Sequence, residues 1–221
     1  MLAARLYRYD PSMQEELRLE QVPDPTIRQP DEVLVRIVGA GLCRTDLHII
    51  EGVWRPILDP EGKLLPYTLG HENTGIVEAV GSAVRNVRVG DRVICHPQAT
   101  CGLCLGCRIG EDMYCTSARF PGLDSDGGFA QYLVTTERAL VKVPEDVDLV
   151  DIAPLADAGL TAYRAAKRAA RIAPPDGWVV IIGIGGLGHI ALQILHALAP
   201  VRVVVIDRSE TALNLARELG A

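Results

Sequence analysis

Aromatic side chains are scarce: two Phe, two Trp and six Tyr make up 5% of the 221 residues, too few for a base-stacking surface. Positive charge is not in excess either. Lys and Arg number 22 against 28 Asp and Glu, a formal charge of −6, so no basic face is available to neutralise phosphates and no nucleic-acid partner is expected. The first twenty residues contain no apolar run of signal-peptide type, since Asp10 and Pro11 intervene before one forms. A cytoplasmic, reducing setting follows as an expectation. One stretch, Trp178 to Val201, lacks charge altogether, yet its glycines at 183, 185, 186 and 188 and its His189, Gln193 and His196 suit a buried strand, turn and helix better than a membrane span. Cysteine is absent from most of the chain: five of the six fall between Cys95 and Cys115, which points to a metal and not to a disulfide scaffold. With 48% hydrophobic and 23% charged residues, what remains is an ordinary folded protein.

The pattern of apolar runs and turn residues predicts an α/β chain of two parts. Residues 1–150 read as short β runs separated by turns: Val33 to Val38, Gly75 to Val80, Asp91 to Cys95 and Phe129 to Thr135. That pattern suits a β-rich barrel or sandwich. Two long loops, Gly52 to Pro66 and Pro97 to Leu123, interrupt it. Residues 151–221 alternate instead. An alanine-rich helix from Leu155 to Arg171 precedes the β run Val179 to Ile182. A helix with Leu187, Ile190, Ala191, Ile194 and Leu198 at helical spacing follows, then a second β run, Val201 to Ile206, and a helix from Glu210 to Leu219 capped by Ser209. This is half of a doubly wound dinucleotide fold, so a fragment of a longer protein is expected, with an apolar edge on its last strand.

Gly183, Gly185 and Gly188 form G-x-G-x-x-G between a β-branched run and an amphipathic helix, and Asp207 lies 19 residues beyond Gly188. In that context the motif predicts a pyrophosphate site at the helix N-terminus, built from Gly183, Gly185, Gly186, Leu187 and Gly188. Asp207 is expected to accept hydrogen bonds from the adenosine ribose, which favours NAD over NADP, while Arg208 beside it weakens that preference. The four cysteines Cys101, Cys104, Cys107 and Cys115, spaced C-x2-C-x2-C-x7-C within the loop of about 95–116, match a closed tetrahedral Zn²⁺ site with no open position for substrate. An iron–sulfur cluster is the rival reading and a disulfide pair a weaker one. Cys95 falls outside the spacing and reads as a small buried apolar residue.

Three dispersed segments carry further metal-type residues: Cys43-Arg44-Thr45-Asp46-Leu47-His48, Gly70-His71-Glu72-Asn73-Thr74-Gly75 and Pro154-Leu155-Ala156-Asp157-Ala158-Gly159. Each alone reads as packing, a satisfied polar group or a helix end. Together with the cysteine loop and the glycine turn, the chain resembles the zinc-dependent medium-chain alcohol dehydrogenases throughout its length. Gly70-His71-Glu72 with Gly75 and Gly81 stands as that family's G-H-E-x-x-G-x(5)-G signature.

The resemblance implies a β-rich GroES-like catalytic domain followed by the first half of a Rossmann domain. It implies two zinc ions, one structural and one catalytic, the latter held by Cys43, His71 and Asp157, where Asp157 stands in place of the cysteine found in many members. Alcohol dehydrogenase is itself a standard example of a catalytic zinc with two cysteines and one histidine. By the same resemblance Glu72 is a nearby carboxylate, Asp46 fixes the tautomer of His71, Thr45 and His48 relay a proton, Arg44 pairs with the pyrophosphate, and Trp54 and Phe120 wall the substrate pocket. The implied activity is reversible hydride transfer between a primary or secondary alcohol and NAD, with a small alcohol or aldehyde as partner and a homodimer or homotetramer as the full-length assembly. A polyol or threonine dehydrogenase on the same scaffold is the alternative within the enzymes, and an inactive zinc-binding module the alternative outside them. The 221-residue piece by itself is expected to be inactive.

Overall fold

Val33 and Val35 alternate with outward-facing neighbours, a period of two that a strand satisfies and a helix does not. In a computed structural model, which describes residues 1–14 and 17–221, these valines lie at the centre of a five-stranded antiparallel sheet. The described residues form two compact units, Met1–Ala156 and Asp157–Ala221. The first unit runs through β1 (Leu2–Leu6), β2 (Arg18–Gln21), β3 (Glu32–Gly41), α1 (Arg44–Ile50), α2 (Arg55–Leu58), β4 (Tyr67–Thr68), β5 (Glu72–Val80) and β6 (Arg92–Cys95). It continues through α3 (Leu105–Arg108), β7 (Tyr132–Thr136), β8 (Leu140–Lys142) and α4 (Leu149–Ile152). The larger sheet has the order β7-β3-β5-β6-β8, and a smaller one the order β2-β1-β4.

Two cores hold this unit. Val33, Val35, Val77, Val87, Val93, Cys95 and Leu133 pack inside the larger sheet. Cys95 is thus an apolar core residue, and burial pushes its thiol up to about 12. Leu6, Ile49, Ile50, Tyr67, Leu69 and Leu123 form the second core, against which Trp54 and Phe120 are partly buried. The β3–β5 pairing slips between Leu34 and Val35 and again between Ile37 and Gly39. The second irregularity leaves Val38 outward and sets Gly41 opposite Glu72.

Cys43, in an extended conformation, caps α1 at the end of β3, and Asp46 at the third helical position accepts a hydrogen bond from the Cys43 N–H at 2.9 Å. This capping box ends the strand, starts the helix and brings the two side chains to one helix end. The loop that follows is anchored by buried Asp59, which accepts from the Tyr9 hydroxyl at 2.9 Å, the Lys63 N–H at 2.6 Å and the Leu64 N–H at 3.1 Å.

The second unit comprises α5 (Ala158–Ile172), β9 (Trp178–Ile182), α6 (Gly188–Leu198), β10 (Arg202–Ile206) and α7 (Glu210–Glu218). The strands β9 and β10 pair in parallel, with a helix between them as such a connection requires. Ala166, Ile184, Leu192, Leu195, Val201, Val203 and Ala216 make its core. The buried face of α6 is therefore the Leu192–Leu195 side, while Leu187 and Leu198 are 48% and 43% exposed. The expected stripe is therefore turned in part: Ile190, Ala191 and Ile194 are half-buried, while Leu187 and Leu198 at the two ends of the stripe are exposed. Ser209 caps α7 by accepting from the Ala212 N–H at 3.3 Å. Val180, Ile182, Val204 and Ile206 stand on exposed positions of the two strands. No helix among the described residues is long and apolar enough to cross a membrane.

Candidate functional site

Residues from β3, α1 and β5 converge in the first unit. His71 and Asp46 are almost completely buried, and Nδ1 of His71 faces an Asp46 oxygen at 3.3 Å while the other oxygen caps Cys43. One carboxylate thus fixes both a thiol-bearing backbone and an imidazole. The Cys43 thiol is drawn below its ordinary value, chiefly by its hydrogen bond with His71; burial opposes this, and the Thr45 N–H and hydroxyl reinforce it. Glu72 lies over Gly41, and a side chain at Gly41 would begin 2.3 Å from the Glu72 Oε2, so glycine there lets the carboxylate take this position. Asp157 follows Ala156 directly in the chain, at the end of the tight turn Ala153–Ala156. Cys43, His71, Glu72 and Asp157 each offer a ligand atom, and these atoms all lie within 4.8 Å of one another.

A thiol, an imidazole and two carboxylates gathered this closely, half of them buried, form the mixed N, O and S donor set that suits a divalent zinc-like ion. His48 lies farther along α1 and pairs through Nδ1 with Glu51 Oε2 at 2.9 Å. That partner stands three residues on, a spacing visible in the sequence as an i, i+3 pair. Arg44 is exposed at the start of α1. Phe120 sets its ring edge-on to His71, with centroids 6.0 Å apart, while Trp54 caps α2.

The second cluster is local. The sulfurs of Cys104 and Cys107 are 3.5 Å apart, those of Cys101 and Cys115 3.6 Å, and those of Cys101 and Cys107 4.0 Å. Four sulfurs about 2.3 Å from one tetrahedral ion would stand about 3.8 Å from each other. The spacing fits a single ion. It is too long for a disulfide, and an iron–sulfur cluster, which gives each thiolate its own iron, would spread the sulfurs farther. All six cysteines are free thiols. The N–H groups of Leu103 and Cys104 point at the Cys101 sulfur, and that of Cys101 at the Cys115 sulfur, each at 3.4 Å. Backbone N–H groups of Cys107 and Thr116 draw the Cys104 thiol down to about 6, whereas burial and neighbouring sulfurs push Cys107 up to about 12.

In the second unit, Gly183 has φ +89 and donates to Ile206 O at 2.8 Å. A side chain at Gly188 would begin 2.0 Å from Gly183 O, so the helix start must be glycine for the turn to close. Gly185 and Gly186 face open space where a side chain would stand, and Leu187 is half-exposed beside them. Asp207 accepts from the Ile184 N–H at 2.7 Å, the Arg208 N–H at 2.6 Å and the Ser209 N–H at 3.0 Å. The N–H groups of Ile184 and Ser209 lead in holding its carboxyl below the ordinary range, and exposed Arg208 contributes its charge.

The alcohol dehydrogenase GroES-like domain family matches residues 29–145. An alcohol dehydrogenase of Geobacillus stearothermophilus is 40% identical over 206 residues, which cover 93% of this chain and 58% of that protein. The D-arabinose 1-dehydrogenase (NADP(+)) of Saccharolobus solfataricus is 42% identical over 217 residues, 94% of this chain and 58% of its own length. Among solved structures, the alcohol dehydrogenase of the hyperthermophilic archaeon Aeropyrum pernix superposes with a TM-score of 0.91 at 50% identity, covering 100% of this chain and 63% of the other. The strand-rich first unit with its two clusters, followed by the glycine turn, defines a medium-chain dehydrogenase architecture. The chain belongs to the zinc-dependent medium-chain alcohol dehydrogenase family. It spans about three fifths of the length of these relatives.

Proposed function

We propose that the chain serves reversible, NAD-linked oxidation of a primary or secondary alcohol, with one ion held by Cys43, His71 and Asp157 beside Glu72 and a second held by Cys101, Cys104, Cys107 and Cys115. The observation that carries this reading is the convergence of four donors from three distant segments within 4.8 Å. When bound, the first ion supplies Lewis acidity toward the substrate hydroxyl and the nicotinamide coenzyme supplies the hydride acceptor.

The protein's own residues do the rest. Asp46, 3.3 Å from His71 Nδ1, would favour the proton there, and Nε2 would then be the nitrogen available to hold the ion. Thr45, whose hydroxyl already reaches the Cys43 sulfur, stands where it can hand on a proton, and His48, oriented by Glu51, is the outlet. The turn from Gly183 to Gly188 receives the pyrophosphate at the start of α6, with Asp207 toward the ribose. Phe120, edge-on to His71, and Trp54 supply apolar wall.

Metal analysis tests the reading: two zinc ions per chain are expected, and one only after Cys43→Ala or Asp157→Ala. One ion that survives both changes would leave a zinc-stabilised binding module in place of an enzyme site. The similarity to a D-arabinose dehydrogenase named for NADP(+) supports a second reading, a polyol or sugar substrate with Arg208 meeting a 2′-phosphate. A substrate panel followed at the reduced-nicotinamide absorbance band separates the two.

A further inference from the structure

A cation stands against the four-cysteine loop that the cysteine spacing does not announce. Arg138 lies in the short turn Glu137–Ala139 between β7 and β8, and its side chain passes Gly102 of the loop. Its Nη2 donates to Asp112 Oδ1 at 2.8 Å, and its Nε reaches the same oxygen at 3.2 Å and Thr100 Oγ1 at 3.1 Å. Thr100, itself buried, donates to Asp112 Oδ1 at 2.8 Å. Thr100 immediately precedes Cys101 and Asp112 lies between Cys107 and Cys115, so these contacts tie Arg138 to the cysteine loop itself.

Four thiolates around one divalent ion carry excess negative charge, and the Asp112 carboxylate beside Cys107 adds to it. Like charges this close repel one another, and that repulsion opposes closing the loop around an ion. We infer that Arg138 is a positioning residue for the loop metal: its guanidinium cancels the Asp112 charge and offsets that of the sulfurs, so that the loop closes on the ion. The inference rests on the reading of this loop as a metal site.

The test follows charge, since a merely structural tether would behave differently. Removing Arg138 leaves the loop one unit more negative, and removing Asp112 as well restores the balance. In a Cys43→Ala background, so that the loop is the thiolate site observed, the full chain is loaded with cobalt(II). Loss of the thiolate-to-cobalt charge-transfer absorption in excess chelator is then timed. Arg138→Gln should release cobalt about tenfold faster than its parent, at the low end of what outer partners of metal ligands contribute because Arg138 is partly exposed. Arg138→Lys should lie nearer the parent, Asp112→Asn should be no faster than the parent, and Arg138→Gln with Asp112→Asn should return close to it. The double variant also decides the matter if the single one fails to fold. Release from Arg138→Gln at the parental rate would overturn the inference. So would release from Asp112→Asn as fast as from Arg138→Gln, which marks a tether. A parent with no thiolate–cobalt band would remove the metal reading of the loop, and this inference with it.

Discussion

Replacing Asp46 by Asn changes one atom type in the most buried part of the site. One carboxylate oxygen accepts from the Cys43 N–H at 2.9 Å, and the other faces His71 Nδ1 at 3.3 Å. An amide can accept on one side only. If its oxygen serves Cys43, its NH₂ faces Nδ1 and forces the proton of His71 onto Nε2, the nitrogen a metal needs free. If its oxygen serves His71, its NH₂ meets the Cys43 N–H, donor against donor, and the cap of α1 is lost. Either arrangement leaves one buried donor unsatisfied or selects the wrong tautomer, a cost of about 1–3 kcal/mol. At about 1.4 kcal/mol per factor of ten, the Cys43–His71 ion should bind roughly 10–100-fold more weakly, the range seen when an outer partner of a histidine ligand is removed. Competition against a chromophoric chelator, with the total zinc content measured alongside, reads this directly. The four-cysteine ion should be unaffected, since its ligands lie on another loop. Two ions bound by Asp46→Asn with parental affinities would refute the role given to this carboxylate.

Two further changes probe the frame around the site. Asp59→Ala removes the acceptor of three hydrogen bonds that hold the loop after α1, and urea unfolding should show a loss of about 2 kcal/mol. Burial raises the Asp59 carboxyl, but the Tyr9 hydroxyl and the Leu64 and Lys63 N–H groups outweigh it and keep the carboxyl below its ordinary value. Its contribution is therefore present above the unfolded carboxylate value near ~3.9 and fades as pH falls through the lower folded value; a wild-type-minus-variant stability difference that grows on acidification would contradict this. Gly188→Ala drives a methyl group into Gly183 O, which should cost about 1–3 kcal/mol and weaken NAD binding measured by calorimetric titration; unchanged melting and binding would show that the turn can move aside.

What was legible in the sequence was whatever is close in the sequence. The cysteine quartet, the glycine turn with Asp207, and the Ser209 cap are local patterns, and their geometry follows from spacing. The family resemblance, and not spacing, drew Cys43, His71 and Asp157 together. Strands β1 and β2 were not anticipated, because LAARL and RLEQ mix charge with apolar residues and show no clean alternation. Strand β8 is three residues long, below any periodic signal. The Asp59–Tyr9 clamp, the Glu72–Gly41 approach and the Arg138–Asp112 contact join residues from about 26 to 50 positions apart through folding alone. The resemblance makes Trp54 and Phe120 pocket wall; the fold packs both against the second core, and Phe120 also borders His71.

The missing side chain at Gly41 has a consequence for natural variation. Because one strand position supplies no atoms so that its cross-strand neighbour can reach inward, positions 41 and 72 are not free to drift separately. A homologue with a methyl or larger group at 41 must either turn the acid at 72 aside or carry a shorter one. The identity of one residue that performs no chemistry thereby limits which carboxylate its neighbour can present.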